Sequence, residues 1–455
     1  MADELVPDAV AGLPATARDA VTALRMQSFQ LAKLNDAEAS IRVLERAVAL
    51  AEQHLGAQHE ETLGALGLLA NTLGRFRQYE RQLLVATDAM SRAQATLGAA
   101  RPHAVLARVE FWYAEALRRN DRPGDAVPLL RNVLADRRRL DGHDTPRVRD
   151  TLYQLGLALG ETGRLGEAIR LVQQVVELEA QQNDVYNEDR SSYRSALVVL
   201  LGLARRTDEV QALDAENEDL RAAAAAAGLG TAIRPPTALA ALVGSLRGAR
   251  VMAWRGQFAA AEAEVLATVR AIEAAGPTAR EASLGAEALW SRALTERLAG
   301  HDKPAFDHAV QAWNHPTRSA SRPAIQAAIA AELAMLQLGR GDQAQAEAAT
   351  RDALALFARA QVQPSPLSST AWLVQAQLFL RQGLPGRALE VLDPLLEAWQ
   401  ASSPGSEGLG EVLYWRARAL SQQGRHAEAR ADHAGARKLL ARSPVPALRR
   451  LVQRA

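Results

Sequence analysis

An all-α solenoid of about ten helical hairpins is the fold class that the sequence predicts. The hairpin is clearest in one stretch, where Leu152, Leu155 and Leu159 recur at spacings of three and four residues, the period of an amphipathic helix. Gly163 then permits the left-handed backbone that ends a helix, and a second apolar stripe begins at Ala168. Because one hairpin cannot bury both of its apolar faces, we expect the unit to recur along the chain.

The unit does recur when the sequence is aligned on the residue equivalent to Gly163. Ten turns are predicted, 39 to 51 residues apart. The predicted turn residues are Asn35, Gly74, Asp121, Gly163, Arg205, Gly256, Gly300, Gly341, Gly383 and Gly424. Seven residues before these turns, nine of the ten residues are Gly, Ala or Ser, and five residues after them eight are small. Small residues at these places allow the two helices of a hairpin to approach closely.

Gly156 and Ala168, the small residues on either side of Gly163, resemble those of a tetratricopeptide repeat (TPR). The segments 54–63 and 139–152 resemble the inter-repeat loop of the kinesin-light-chain type, which has the cadence near 42 residues found here. That type also forms C-terminal regions of many bacterial Ser/Thr protein kinases and large transcription regulators. The resemblance implies a right-handed α-α superhelix of TPR-like hairpins that acts as a sensor or docking arm.

Five segments are predicted along the chain. They are a flexible lead-in at 1–15, an N-terminal array of five hairpins at 16–227, a joint or long loop at 228–236, a C-terminal array of five hairpins at 237–442, and a capping segment at 443–455. The fifth hairpin is degenerate, because Val198, Val210 and Asn217 occupy positions that are small in most other hairpins. The joint is interpreted either as a linker between two arrays or as a long loop within one superhelix.

Composition limits the classes of function. The hydrophobic fraction of 48% with only 4% aromatic residues suits thin helix-on-helix contacts. A net charge of +1 supplies no overall field for nucleic acid or an acidic membrane, and the absence of Cys excludes disulfides and thiolate metal sites. The N-terminus shows no signal peptide and no stretch is apolar enough to span a membrane, so we expect a cytoplasmic protein. Its Ala richness and preference for Arg over Lys indicate a bacterial gene.

The common catalytic motifs are absent from the sequence. It has no phosphate-binding loop, no HExxH zinc motif, no GxSxG nucleophile motif and no protein-kinase motif. We therefore predict no enzymatic activity, no cofactor and no metal site. One polar cluster, Asp141, His143 and Asp144, is read either as a metal or general-base site or as a solvated loop in which Asp144 or Thr145 caps the next helix.

The first helix of each TPR hairpin lines the concave, ligand-holding face, and this implies a set of binding residues. Aromatic residues stand ten positions before several turns, and Glu or Arg stand six and three positions before them, all on one helical face. The predicted partner-binding residues are Phe111, Glu115, Arg118, Tyr153, Arg250, Trp290, Arg297, Tyr414 and Arg418.

Three groups of these residues would place a guanidinium beside an aromatic ring. They are Phe111/Glu115/Arg118, Trp290/Arg297 and Tyr414/Arg418. Such rows suit a peptide, because the rings take apolar side chains and Arg binds a carboxylate or phosphate. The alternative is that the rings pack between helices and the Arg residues solvate the rim.

Three functions follow from this reading of the sequence. The first is a non-enzymatic TPR scaffold that binds a peptide or protein partner in its concave face, with neither nucleic acid nor membrane as a partner. The second is a regulatory receptor that closes on a short signalling peptide or a small ligand. The third is an enzyme or a required enzyme subunit, with a site near the 228–236 joint.

Overall fold

The computed structural model describes residues 17–182, 188–226, 238–274, 279–316 and 318–453, and these residues form twenty-one α-helices and no strand. The helices are α1 (Ala17–Lys33), α2 (Ala37–Leu55), α3 (Glu60–Arg75), α4 (Tyr79–Leu97), α5 (Ala104–Arg119), α6 (Pro123–Asp141), α7 (Pro146–Glu161), α8 (Leu165–Gln182), α9 (Glu188–Leu203), α10 (Thr207–Ala226), α11 (Ala238–Trp254), α12 (Phe258–Ala274), α13 (Ala279–Ala299), α14 (Asp302–Asn314), α15 (Pro323–Arg340), α16 (Gln343–Arg359), α17 (Ser369–Arg381), α18 (Pro385–Ser402), α19 (Glu407–Gln422), α20 (His426–Leu440) and α21 (Pro446–Gln453). The predicted fold class, an all-α solenoid of helical hairpins, is confirmed. The predicted lead-in at 1–15 and joint at 228–236 lie outside the described residues.

Within the described residues, α1 to α20 pair into ten hairpins, numbered 1 to 10 in chain order. Each hairpin turn contains one residue with left-handed backbone, at φ between 55° and 90°. This conformation reverses the chain within three or four residues and satisfies the last carbonyl groups of the first helix. Nine of these residues are the predicted ones: Asn35, Asp121, Gly163, Arg205, Gly256, Gly300, Gly341, Gly383 and Gly424.

The prediction that Gly74 forms the second turn is wrong. Gly74 lies inside α3, and the left-handed residue of hairpin 2 is Arg77, with φ 63°. Glycine at position 74 serves close packing, because a Cβ added there would collide with the buried side chain of Gln82 on α4. The corrected register puts the buried Ala70 seven residues before the turn and Gln82 five residues after it.

Close contacts between successive hairpins depend on glycine in the first helices. In α3 of hairpin 2, a Cβ on Gly67 would overlap the ring of Trp112, which comes from α5 of hairpin 3. In α7 of hairpin 4, a Cβ on Gly160 would overlap the Leu200 side chain of α9 in hairpin 5. These glycines let a large apolar side chain of one hairpin lie directly on the backbone of the preceding one.

The chain divides into two compact units, Met1–Ala158 and Leu159–Ala455. The core of the first unit is a row of fully buried leucines from α2, α3 and α5, among them Leu44, Leu63, Leu73 and Leu106. The main core of the second unit lies between α17, α18, α19 and α20 around the fully buried Trp399. The predicted boundary at residue 227 stays a prediction.

The second unit also has contacts between helices that are distant in the sequence. The amide of Gln363 donates to the carbonyl oxygen of Thr162 at 3.0 Å. A Cβ on Gly166 in α8 would overlap the carbonyl group of Ala401 in α18. The start of the second unit therefore packs against hairpin 9.

The C-terminal segment contains the last helix, α21, which buries Leu448 and Val452. These side chains join a core cluster with Leu294 and Leu298 of α13 as well as with Leu440 of α20. Helix α21 therefore contacts hairpin 7 in addition to hairpin 10. Among the described helices, none has both the length and the hydropathy needed to cross a membrane.

The role of glycine as a contact surface can be tested at two helical positions. Gly67→Ala forces a methyl group into the rigid ring of Trp112, and we expect the free energy of unfolding to fall by about 1–3 kcal/mol. Gly339→Ala in α15 is the matched control, because a Cβ there meets no atom of the described part of the chain within 4 Å. Better helix propensity should stabilise that variant by up to about 1 kcal/mol. Thermal unfolding of both variants checks this, and shifts of the same sign would contradict the packing described here.

Candidate functional site

In the first unit, Phe111 and Glu115 interact with arginines outside the predicted set. The guanidinium of Arg137 on α6 lies 4.3 Å from the ring centroid of Phe111, and burial lowers the pKa of Arg137 to about 10. The buried carboxylate of Glu115 accepts a hydrogen bond from Arg119 at 2.6 Å. The stack on Phe111 and the ion pair of Glu115 are thus supplied by residues other than Arg118.

Arg118 and Tyr153 complete the predicted set in the first unit. Both side chains are half-buried, and both have interactions within the chain. Their assignment to partner binding stays a prediction.

In the second unit, the predicted stack of a guanidinium on Trp290 is present, but Arg250 supplies the guanidinium. Arg250 on α11 lies 4.5 Å from the Trp290 ring centroid. It also pairs with Glu287 at 2.9 Å and donates to Ser291 Oγ at 2.8 Å. The planar guanidinium therefore has a ring on one face and acceptors at its edge, which fixes its orientation.

Arg297 was expected beside Trp290 and instead pairs with Glu332 of α15. Its Nε and Nη2 both donate to the carboxylate, the second at 3.2 Å. Burial alone would lower the pKa of Arg297, but the Glu332 carboxylate outweighs burial and raises it. This buried pair joins hairpins 7 and 8, so Arg297 contributes to the stability of the stack.

Tyr414 and Arg418 are neighbours on α19 as predicted. Arg418 Nη1 donates to the Tyr414 hydroxyl at 3.4 Å, and the Arg418 side chain is exposed. The ring of Tyr414 is buried and packs edge-on against Trp415, with the ring centroids 5.1 Å apart. Of this pair, only Arg418 offers substantial surface to a partner.

The polar cluster around residue 143 is engaged within the chain. Asp144 pairs with Arg149 at 2.8 Å, and Asp141 approaches Arg147 at 3.7 Å. Thr145 Oγ1 accepts from the amide of Val148 at 3.4 Å and so caps α7, as one reading of the sequence predicted. In the described part of the chain, no group of three or more His, Asp or Glu side chains is arranged to hold a metal ion.

A cavity of about 730 Å³ lies inside the second unit. Its walls come mainly from α9, α10 and α11, with further residues from α13, α15 and the segment 366–370. The lining is mostly apolar, with Val198, Val251 and Leu294 among its residues, and it includes Arg250 and Trp290. Two of the predicted binding residues, Arg250 and Trp290, are therefore brought together at one site.

Comparison with known proteins identifies the repeat. Residues 105–179 match the family model of the tetratricopeptide repeat. Residues 105–179 therefore have the sequence pattern of tetratricopeptide repeats.

Two solved structures are similar to parts of this chain. The kinesin light chain TPR-like repeats of Podosopora anserina share 19% identity, with 46% of this chain and 98% of that chain covered and a TM-score of 0.39. BtubC (BKLC) from P. vanneervenii shares 17% identity, with 49% of this chain and 87% of that chain covered and a TM-score of 0.41. A search of curated proteins found no match.

The degenerate hairpin 5 forms one wall of the cavity. Val198, Val210 and Asn217, which replace small residues of other hairpins, all line it. Helices α9 and α11 make few close contacts, whereas α11 and α13 pack closely. The larger side chains of hairpin 5 therefore lie where α9 and α11 are held apart. This deviation from the repeat pattern was the signal in the sequence that could have located the cavity.

Arg205, the turn residue of hairpin 5, lies between two tryptophans. Its guanidinium is 3.5 Å from the ring centroid of Trp254 and 5.0 Å from that of Trp399, and its Nη1 is 4.0 Å from the Glu411 carboxylate. Burial lowers the pKa of Arg205 to about 10 and raises the pKa of Glu411. Arg205 thus connects hairpin 5 with hairpins 6, 9 and 10, and it also borders the cavity.

Arg205 and Arg77 allow a matched test, because both are arginines at left-handed turn positions. Glycine relieves about 1–2 kcal/mol of backbone strain at such a position. At the exposed Arg77 we expect Arg77→Gly to maintain or raise the thermal midpoint. Arg205→Gly also removes the cation between the two rings and leaves Glu411 buried without it, so we expect a net loss of about 2 kcal/mol.

The measurement is the thermal midpoint of both variants and of the wild type. A stabilised Arg205→Gly variant would show that the contacts with Trp254, Trp399 and Glu411 contribute less than the backbone strain.

Proposed function

We propose that this protein is a non-enzymatic TPR scaffold or sensor arm that binds a peptide segment of a partner protein in the cavity of its second unit. Tetratricopeptide repeats mediate protein–protein interaction in general. The observation that carries the proposal is the cavity itself, which combines an apolar lining with the Arg250–Trp290 stack. Aromatic and Arg side chains are the usual energetic anchors of interfaces.

The cavity wall formed by α11 leaves room for a bound segment. Gly244 and Gly248 both line the cavity, and a Cβ added to either residue would meet no atom of the described residues within 4 Å. Glycine weakens a helix interior, and no close contact with the described residues requires glycine at either position. Open space above the backbone lets a peptide approach α11 closely.

A second candidate function is a regulatory receptor that closes on a small ligand. The observation that favours it is the set of long-range contacts around the cavity, in which Arg205 bridges hairpins 5, 6, 9 and 10. If these contacts separate and form again, a small ligand can enter the cavity and then be enclosed. The third possibility, an enzyme site near 228–236, falls outside the described residues, and no observation favours it.

The scaffold proposal is tested by filling the cavity. Gly248→Trp places a large ring in the open space beside α11, and Gly339→Trp places the same ring on the exposed surface of α15. We expect affinity capture from a lysate of the source organism to recover the same partner with the wild type and with Gly339→Trp. The partner should be lost with Gly248→Trp, because the substituted ring occupies its site.

Folding of both variants is verified by circular dichroism and the thermal midpoint before capture. Equal recovery of the partner by all three proteins would place the binding surface outside the cavity and overturn the proposal.

A further inference from the structure

We propose that the cavity of the second unit binds a small amphipathic anion, a molecule with an apolar body and one carboxylate-like group that Arg247 recognises. This inference rests on the second candidate function, the receptor for a small ligand. It assigns to that cavity a chemical class of ligand and a residue that selects it.

The first step is the size and lining of the cavity. About 730 Å³ lies within the range of sites that hold small organic ligands. Apolar side chains dominate the lining, including Val199, Leu203 and Val251. Such a wall favours a hydrocarbon or aromatic body and disfavours a strongly polar ligand such as a sugar or a nucleotide.

The second step is the charge on that wall. Arg247 lies on α11 between Gly244 and Gly248, lines the cavity, and has an exposed side chain. Among the residues that the structure describes, its guanidinium has no hydrogen-bond or ion-pair partner. The surrounding protein lowers its pKa by desolvation, yet an arginine remains protonated at neutral pH.

The third step concerns the neighbouring charged groups, which do not neutralise Arg247. Glu287 pairs with Arg250 at 2.9 Å, and Glu161 pairs with Arg322 at 3.4 Å. Each carboxylate near Arg247 therefore already has a cation of its own.

The other acidic side chains on the cavity wall are engaged as well. Glu332 binds Arg297, and Asp214 has a partner within the chain. Arg247 is thus a cation in excess beside an apolar space.

The fourth step is the access that a ligand has to Arg247. Gly244 and Gly248 stand three residues before and one residue after it, so the helix surface around the guanidinium carries no side chains at these positions. An anionic group can therefore reach the guanidinium edge while its apolar body lies along Val251, one turn further on the same helix face. A guanidinium binds a carboxylate with two parallel hydrogen bonds, which selects this anion over a neutral group of the same shape.

The test uses three probes with the same ten-carbon chain and different head groups: decanoate, 1-decanol and decyltrimethylammonium. Binding is measured by calorimetry below the concentration at which each probe forms micelles or, for 1-decanol, separates from water. We expect the wild type to bind decanoate about tenfold or more tightly than 1-decanol, because a hydrogen bond to a charged group contributes at least that factor. The cationic probe should not bind.

Variants identify the site of binding. Arg247→Met should weaken decanoate binding about tenfold or more without weakening the binding of 1-decanol, while Arg247→Lys should retain part of the preference for decanoate. Gly248→Trp should abolish binding of both probes because it fills the cavity. Arg351→Met, which removes an exposed arginine of α16, is the matched control and should behave as the wild type.

Two results would overturn the inference. One is equal affinity of the wild type for decanoate and 1-decanol, and the other is unchanged decanoate binding by Arg247→Met or Gly248→Trp. The scaffold proposal is judged separately, by protein capture without any amphiphile, so either one can fail while the other stands.

Discussion

The constraint on which this structure depends is that each hairpin must be covered by its neighbours, since two amphipathic helices leave apolar surface on both sides. Neighbouring hairpins come closest at glycine positions of the first helices. There Trp112 lies on Gly67, and Leu200 lies on Gly160. Each of these contacts joins one hairpin to the next. The free energy of unfolding is therefore approximately a sum of contributions from neighbouring hairpins. A stack of this kind tolerates one irregular hairpin if the hairpins around it remain covered.

Hairpin 5 is the irregular one, and its departures from the pattern coincide with the cavity. Larger residues at Val198 and Val210 occupy positions where a small residue would let helices approach, and α9 makes few close contacts with α11. Its turn residue, Arg205, replaces the more common glycine and uses its side chain to join three other hairpins. The same hairpin thus leaves the space open and supplies a contact that borders it.

Local geometry was predictable from the sequence to a greater extent than long-range pairing. The turns were predicted well because left-handed backbone has a local chemical signature, and the error at Gly74 arose because glycine also serves close packing against Gln82. Helical spacing predicted a guanidinium beside Trp290, but it could not show that this guanidinium would come from Arg250 on the preceding hairpin. Periodicity within one repeat contains no information about which distant helices meet.

The charge at the cavity wall depends on which arginines have a carboxylate partner. Arg250 and Arg297, each on a first helix, have carboxylate partners within the stack. Arg247 lacks one in the described part of the chain, and its charge can persist at the cavity wall only while solvent reaches it. A neutral apolar molecule that filled the space would remove this solvent and leave the guanidinium without compensation, at a cost of several kcal/mol. A ligand that displaces the solvent must therefore bring its own negative charge, and for this reason the lining favours an amphipathic anion over a purely apolar molecule.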